Sequence, residues 1–487
     1  MKENGAQRGG IYYSIFLLVV AGSILGAGLF EFIKFTHTNP FSPSFLDETP
    51  PVVTLQEAPL GIGADAVSLK VAVQDAGAGL DEVVVRISQR NEPKELLRKS
   101  YSENPANNET FEIPLNGKQL GLREGNAELQ ILAFDRSLWS NGASISKSLP
   151  VNFAKPHISV VTPQQNAVLG GSELVFYKVL GKKPRLQGVV SKSALYSGFP
   201  AREWDPSFKS YDNLYIALFP IPVTFKPDAD GMKIVARDDI GNSTWAPFNY
   251  RVHQRRWSSF KLSLNDQNAA RLRDRLSSYA REAGLHPKQE STLAGELREL
   301  LRVVTASDDA TIARALKAPE SKRLWSGPFL KPVGSAPTNS FGDVRVITVG
   351  ATEVSKANAS GVRFPVSSRT AVMAANGGQI VFSGDLGALG KTVVLDHGFG
   401  LTTVYGHLSE ASAPVGSLVA KNQPIGRTGS TGWFWMTSSR TSHTSGRTRS
   451  TMRLALLMLW AWPFSTSWRI TNGLNSSSAI CLGRPHW

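Results

Sequence analysis

GDLGALGKTVVLDHGFGLTTVYGHLSEASAPVGSLVAKNQPIGRTGSTG, residues 384–432, is the stretch that decides the fold of the C-terminal part of this chain. Apolar and polar positions alternate from Thr392 to Tyr405 on both sides of a turn at 398–400, as in half-buried β-strands. We therefore predict a β-hairpin over 392–407 whose second strand ends at His407. Later glycines at 416, 426, 429 and 432 mark closely spaced turns. The stretch is typical of a small antiparallel β domain.

Further segments extend this pattern towards the amino terminus. They include Phe341-Gly342 with Arg345 and the run GVRFPVSSRTAVMAANGGQIVFSGDLG at 361–387. Together with the segments in 384–432, they resemble, in order, the pieces of a LytM/lysostaphin-type zinc metallopeptidase domain of peptidase family M23. The resemblance implies a compact antiparallel β domain over 326–432, a zinc ion on its sheet, and cleavage of peptides in peptidoglycan.

The resemblance matches the catalytic elements of the family at one residue only. His407, in YGHLS, corresponds to the family's histidine that assists catalysis without binding the metal. Ala359 and Arg363 stand where an H-x-x-x-D element supplies a histidine and an aspartate ligand. Alanine has no donor atom, and the guanidinium of arginine is positively charged and repels a dication. Zinc is thus expected for the family and absent from this chain.

Two other histidines, His443 and His397, are candidates for zinc ligands, but we expect neither to bind the metal. An H-x-H element should follow residues 427–432, but the chain reads WFWMTSSRTSHTSG, in which His443 stands alone. We interpret His443 as a surface histidine. His397, in LDHG, lies at the predicted hairpin turn and offers a single nitrogen, so we expect it to be structural.

The composition changes abruptly after Gly432. Residues 433–487 hold six of the eleven tryptophans and neither lysine nor acidic residues. We predict an atypical tail that is either disordered or the product of a reading-frame shift near codon 432. Its apolar run Met452–Phe464 is too short to span a bilayer.

The amino-terminal part of the chain predicts a membrane anchor. Residues 11–30 are uncharged and mainly apolar, which is long enough for one transmembrane helix. Lys2 and Arg8 precede the run, and Lys34 follows it, so residues 1–10 are expected in the cytoplasm. We expect a single-pass protein of the inner (cytoplasmic) membrane, with a proline-rich linker at 31–51 and the C-terminal bulk in the periplasm or wall space.

The middle of the chain predicts a mainly β, multidomain protein. Residues 52–155 and 156–254 are interpreted as two Ig-like β-sandwich modules, the second with an insertion near 195–227. The stretches 131–153 and 234–252 echo each other, since both run from an apolar strand through Asp into a turn with Asn and Gly. Residues 255–325 switch to a helical period and predict a helical hairpin, with a third short helix at 308–317.

Charge and cysteine content exclude several classes of protein. The formal net charge is +14, but residues 411–487 contain eight Lys/Arg and no Asp/Glu, so this segment supplies +8 of it. The remainder is only modestly basic, so we expect no nucleic-acid partner. Cys481 is the single cysteine, which excludes an intrachain disulfide framework.

These observations lead to one preferred function and two alternatives. We expect an envelope protein related to peptidoglycan endopeptidases that lacks zinc-dependent activity and binds or regulates cell-wall hydrolysis. Its partners would be peptidoglycan, a cell-wall amidase, and the membrane through residues 11–30. The alternatives are an active zinc metalloendopeptidase, if the true reading frame restores the site, and a structural envelope scaffold.

Overall fold

The computed structural model describes residues 46–102, 106–191, 194–226, 230–316 and 320–432, and the backbone of 453–461. The predicted cytoplasmic segment, the predicted transmembrane helix and most of the linker lie outside these ranges. No helix within them is long and apolar enough to cross a membrane. The chain divides into two compact units, residues 1–155 with 238–243 and residues 156–237 with 244–487.

The first unit is a two-sheet β structure around one core. Its antiparallel sheets have the orders β1-β2-β5 and β4-β3-β6-β7. The strands are β1 (Val52–Glu57), β2 (Val67–Gln74), β3 (Leu80–Gln89), β4 (Glu92–Ser100), β5 (Asn108–Leu115), β6 (Gly125–Asp135) and β7 (Gly142–Val151). Every second residue of β6 from Ala127 to Ala133 is buried in the core that both sheets share. The β module predicted at 52–155 is therefore present, while its Ig-like topology stays a prediction.

The predicted echo between the two modules exists as a repeated hydrogen-bonding pattern. Asp135 Oδ1 accepts a hydrogen bond from the Asn141 main-chain nitrogen at 2.8 Å, and Asp238 Oδ1 accepts one from that of Asn242, also at 2.8 Å. In each pair the asparagine Nδ2 donates to the aspartate Oδ2 and to a main-chain carbonyl of an earlier residue. The aspartate-to-asparagine pattern shared by the two segments therefore stabilises a turn by the same hydrogen bonds in both places.

The second β module differs from the predicted sandwich. Its strands are β8 (His157–Val160), β9 (Gln165–Val168), β10 (Ser172–Leu180), β11 (Leu186–Ser191), β12 (Ala194–Pro200), β13 (Leu214–Pro220), β14 (Met232–Arg237), β15 (Ser243–Pro247) and β16 (Tyr250–His253). Seven of them form one sheet in the order β15-β14-β11-β12-β13-β10-β8, and β9 pairs with β16 in parallel. The segment taken as an insertion supplies β12 and β13 near the middle of that sheet, because its apolar residues complete the core.

The helical hairpin is confirmed, with a correction to its second half. After the single turn α1 (Ala201–Trp204), the helices are α2 (Asp266–Glu282) and α3 (Leu293–Ala315). The Asn265 and Thr292 side chains accept hydrogen bonds from the first turns of α2 and α3 and so cap them. A separate helix at 308–317 was the wrong prediction. The buried stripe of α3 continues through Asp308 to Ile312, so the helix has a packing reason to continue.

The hairpin packs on a three-stranded sheet that crosses the predicted boundary at 325. This sheet contains β17 (Ser259–Leu264), β18 (Val344–Val349) and β19 (Thr352–Asn358), with β17 parallel to β18. Residues of both helices share one core with the sheet, including Leu272, Leu297 and Ile347. β18 and β19, which the sequence analysis assigned to the C-terminal domain, therefore belong to the sheet on which the helices pack.

The remaining strands form what we call the C-terminal sheet. They are β20 (Val362–Val366), β21 (Ala371–Met373), β22 (Gly378–Leu386), β23 (Gly390–Gly398), β24 (Leu401–Ala411), β25 (Leu418–Val419), β26 (Pro424–Thr428) and β27 (Arg453–Ala461). The order is β20-β27-β24-β23-β22-β25, with β26 pairing with β21 and β24. The β23–β24 hairpin confirms the prediction for 392–407, except that β24 continues past His407 to Ala411.

Part of the predicted disordered tail belongs to this sheet. β27 pairs antiparallel with β20 on one side and with β24 on the other. Its apolar sequence RLALLMLWA suits a strand between two others, which corrects the expectation of disorder for these nine residues. The other tail residues, His443 among them, lie outside the described ranges.

Candidate functional site

His407 lies inside β24, in a bend of the strand. Its φ of 60° is in the left-handed region, and the pairing of β24 with β23 shifts register nearby. Its main-chain nitrogen donates to Leu389 O at 2.6 Å, and its ring Nδ1 donates to Thr431 O at 2.8 Å. Because a carbonyl oxygen can only accept, the proton is on Nδ1 and Nε2 is the basic nitrogen. The side chain is fully buried.

The His407 ring is neutral at pH 7. Burial lowers its pKa to about 4, and the positive charges of Arg363, Arg345 and Arg275 lower it further, against the bond to Thr431. A neutral imidazole can accept a proton, which is the state that a general base needs. The low pKa, however, makes it a weak base at neutral pH.

Two arginines, one on β18 and one on β20, lie close enough to His407 for their charges to lower its pKa. Arg345 on β18 is only 7% exposed, and burial followed by the charge of Arg363 holds its pKa well below the usual range. Burial lowers the pKa of Arg363, on β20, to about 10. Its main-chain nitrogen donates to Asn339 Oδ1 at 2.8 Å, and its guanidinium lies 5.8 Å from the centre of the Phe260 ring. We call Arg345, Arg363 and His407 the arginine–histidine cluster.

Ala359 is held by its main chain. It lies between β19 and β20, where its nitrogen donates to Asp343 O at 2.8 Å and its oxygen accepts from Gly342 N at 2.8 Å. Asp343 and Gly342 follow the Phe341 of the FG motif, so that motif has a structural role in fixing this loop. Ala359 contributes only a methyl group here.

The strand that lies between Arg363 and the His407 segment contains no metal-ligating residue type. In the register of β27, Leu456 pairs with Arg363 on β20 and with Gly406 on β24. Residues 453–461 read RLALLMLWA and include no histidine, cysteine, aspartate or glutamate. The neighbours of His407 along the sheet are thus not suited to bind a metal ion.

A zinc ion does not fit the described residues of this site. Zinc needs three or more nitrogen, sulfur or carboxylate ligands. His407 is one imidazole, Ala359 has no donor, and Arg345 and Arg363 are cationic, so they would repel the ion. In the described ranges, the one group of three ligand side chains that could hold a metal ion is Asp47, Asp75 and Asp135, in the first unit.

His397 is a structural residue, as the sequence analysis expected. It is fully buried, its Nδ1 donates to Gly377 O at 2.6 Å, and its Nε2 lies 2.8 Å from Thr403 Oγ1. Its ring also contacts the edge of Phe329 at 4.9 Å between centres. Burial lowers its pKa to about 4. Both nitrogens are used within the protein, so neither is left for a metal.

Sequence reasoning missed the role of Arg345. The FG segment in which it lies gave no sign that Arg345 is a buried charge that acts on the His407 ring. The available signal was its position in VRVITV, where an arginine occupies one of the alternating inward positions of a strand.

Comparison with known proteins gives the same assignment for this part of the chain. The model of Peptidase family M23 matches residues 357–446. No curated protein sequence matches the chain. Among solved structures, a peptidase M23 from Pseudomonas aeruginosa is 19% identical, with a TM-score of 0.33, over 62% of this chain and 93% of that one.

Two other solved structures show the range of the similarity. The catalytic domain of lysostaphin from Staphylococcus simulans is 23% identical over 29% of this chain and 82% of that one, with a TM-score of 0.17. A zinc-containing peptidase from Vibrio cholerae is 12% identical over 82% of this chain and 76% of that one, with a TM-score of 0.18. The motifs, the antiparallel sheet and the match of the family model agree, and the chain therefore carries a LytM-type domain of peptidase family M23.

Proposed function

We propose that this chain is a membrane-anchored envelope protein whose LytM-type domain binds no zinc and acts by binding peptidoglycan or by regulating a cell-wall amidase. The anchor is the apolar run at 11–30, and the remainder of the chain faces the periplasm or wall space. Descent from peptidoglycan endopeptidases supports the wall as the partner.

The arginine–histidine cluster is the observation that carries this proposal. Where the family resemblance calls for an aspartate ligand, the chain has the half-buried Arg363, and the buried Arg345 adds a second positive charge that acts on His407. Burial, with a smaller contribution from those charges, lowers the pKa of His407 to about 4, so the ring is not a base poised near pH 7. With Ala359 as a methyl group, His407 has no metal-bound water to activate, and no hydrolytic step follows from the residues present.

Zinc content and hydrolysis test the absence of activity. The full chain, purified without chelator, should contain well under one zinc per molecule and release no muropeptides from sacculi. The comparison variant, Ala359→His with Arg363→Asp, supplies two of the three ligands that zinc needs and removes one positive charge, so it should bind zinc more tightly than the unmodified chain but hold less than one zinc per molecule. Stoichiometric zinc in the unmodified chain, together with muropeptide release, would refute the proposal.

Binding to the wall separates a binding or regulatory role from a purely structural scaffold. The full chain should pellet with insoluble sacculi or change the rate at which an added amidase releases peptides. If it does neither, the scaffold function is favoured. An Arg345→Leu variant tests whether the cluster contributes to binding, with Arg314→Leu on the surface of α3 as a control.

The active-enzyme alternative depends on the nucleic-acid sequence. The abrupt change of composition after Gly432, where the resemblance implies an H-x-H element, favours a shift of reading frame near codon 432. Translating the DNA near codon 432 in the other two frames should then give an H-x-H strand. Ala359 and Arg363 precede the shift and would remain.

A further inference from the structure

Three aspartates meet at one end of the first unit. Asp75 follows the last residue of β2, Asp135 ends β6, and Asp47 lies in the segment that leads into β1. One carboxylate oxygen from each lies within 4.8 Å of those from the other two. Because β2 and β6 belong to different sheets, this aspartate cluster joins both sheets and the entering chain.

Hydrogen bonds hold the three carboxylates in place from the outside. Asp75 Oδ1 accepts from the main-chain nitrogens of Gly77 and Gly79 at 2.8 and 2.9 Å. Asp47 Oδ2 accepts from the nitrogen of Ala78 at 2.9 Å. Asp135 Oδ1 accepts three hydrogen bonds, and its Oδ2 accepts one at 2.8 Å. The turn after β2 and the turn after β6 therefore orient the carboxylates before any ligand arrives.

One oxygen of the cluster lacks a hydrogen bond although it is buried. Asp75 is only 4% exposed, and its Oδ2 has no hydrogen-bond partner among the described residues. A buried carboxylate oxygen without a donor is unfavourable, and two further carboxylates nearby add repulsion. Hydrogen bonds from the turns account for the positions of the other carboxylate oxygens, but not for the burial of Asp75 Oδ2 without a donor. A cation would account for both the unbonded oxygen and the grouping of charges.

Gly77 allows the cluster to form. A Cβ added at this position would collide with the Asp47 carboxylate. The glycine thus leaves the space in which Asp47 approaches the turn that follows β2. An alanine at position 77 should push Asp47 away without changing the charge of any group.

We propose that Asp47, Asp75 and Asp135 bind a calcium ion. All three ligands are oxygen atoms, which suits a hard cation, and the absence of nitrogen and sulfur in the set disfavours zinc. Calcium takes about six to eight oxygen ligands in flexible geometry, whereas magnesium requires a near-ideal octahedron and retains several waters, so three fixed carboxylates favour calcium. The three ligand oxygens lie within 4.8 Å of one another, close enough to share one ion, and main-chain carbonyls and water would complete the shell. The bound ion would tie residues 46–51 to the ends of both sheets.

Titration of the full, chelator-washed chain with calcium tests the site. We expect one calcium per chain, a higher unfolding temperature of the first unit with calcium, and much weaker binding of magnesium at the same concentration. Asp75→Asn should weaken calcium binding at least tenfold and abolish the calcium-dependent rise. Asp238→Asn is the control, because Asp238 is as buried as Asp75 and also accepts main-chain hydrogen bonds in a turn, but lies outside the cluster.

A second pair of variants keeps the test decisive if Asp75→Asn does not fold. Asp47 is half-buried at the rim, so Asp47→Asn should fold and bind calcium at least tenfold more weakly. Gly77→Ala should weaken binding as well. The proposal would be overturned by an unmodified chain that shows no calcium binding, by magnesium binding as tightly as calcium, or by equal losses in Asp75→Asn and Asp238→Asn.

Discussion

His397 and His407 are two buried histidines of the C-terminal sheet, and their surroundings give them different uses. Burial lowers the pKa of both rings to about 4. His397 has hydrogen-bond partners of the protein at both nitrogens, whereas His407 faces the positive charges of Arg345 and Arg363. The first is a packing residue of the sheet. The second, for which the resemblance implies a catalytic position, lies in an environment that opposes both protonation and a metal ion.

The low pKa of His397 predicts a loss of stability in acid. Its folded-state pKa, about 4, lies below the unfolded value of about 6.5, so the unfolded chain binds the proton first as the pH falls. The contribution is complete above pH 6.5 and is lost as the pH falls to about 4. We expect this loss to reach about 3 kcal/mol. His397→Gln should remove this pH-dependent part of the free energy of unfolding.

Denaturant unfolding from pH 7 to pH 4 checks the prediction. The free energy of unfolding should fall more steeply for the unmodified chain than for His397→Gln. Other titrating groups, among them Glu173, whose pKa burial raises to about 7, are common to both proteins and cancel in the difference. Equal slopes would show that the ring is not held neutral.

Helix α3 is connected to the C-terminal sheet through one buried carboxylate. Asp308 Oδ1 accepts from Gly387 N at 2.9 Å and Asp308 Oδ2 from Ala388 N at 2.7 Å, at the turn between β22 and β23. Tyr279 on α2 donates to the same side chain at 3.2 Å. Burial raises the pKa of Asp308, although these bonds act against the rise. One side chain thus links both helices to the hairpin that leads to the His407 strand.

Removing the Asp308 carboxylate should destabilise the packing of α3 against the turn between β22 and β23. Asp308→Ala leaves two buried main-chain N–H groups without acceptors, so we expect a loss of about 2–4 kcal/mol in the free energy of unfolding. Asp274→Ala, on the exposed surface of α2, is the control and should change stability by less than about 1 kcal/mol. Hydrogen exchange at Gly387 and Ala388 should increase in Asp308→Ala alone. Unchanged exchange at these amides would contradict the linking role.

Within the second unit, an aromatic cluster joins the second β module to the LytM-type domain. Phe399, at the tip of the β23–β24 hairpin, lies 5.1 Å from Phe199 and 5.6 Å from Trp204 between ring centres. Trp325 packs edge-on against Trp204 at 5.5 Å. Phe399 is 2% exposed despite a φ of 55°, so its packing offsets a left-handed backbone. The hairpin tip is thus a contact between two parts of one unit.

Truncating Phe399 should weaken that contact. Phe399→Ala retains the backbone strain and removes the ring, so we expect a loss of about 3–5 kcal/mol. Calorimetry should then show the second β module and the LytM-type domain unfolding in separate steps. Tyr211→Ala, whose ring is 47% exposed, should leave a single step. A single transition in Phe399→Ala would show that the cluster does not couple the two parts.

Local sequence patterns predicted much of what the structure contains. The alternation around 398–400 predicted the β23–β24 hairpin, the helical period predicted α2 and α3, and the D-to-N echo predicted a repeated turn. The expectation that Ala359 and Arg363 stand at ligand positions also came from the sequence, because the chemical type of a residue does not depend on the fold. Each of these features depends on neighbours a few positions away.

Tertiary structure alone decided the features that depend on distant partners. The pairing of β17 with β18, the central place of β12 and β13, and the entry of β27 between β20 and β24 join segments far apart in the sequence. Only the tertiary structure shows that Arg345 is buried and belongs to the arginine–histidine cluster. The proximity of Asp47, Asp75 and Asp135 likewise results from the packing of the two sheets of the first unit. Sequence determined the lineage and the chemistry available at each position. Long-range strand pairing and burial determined which charged side chains lie close together. The physical reason is that two charges interact more strongly in the low-dielectric protein interior than in water.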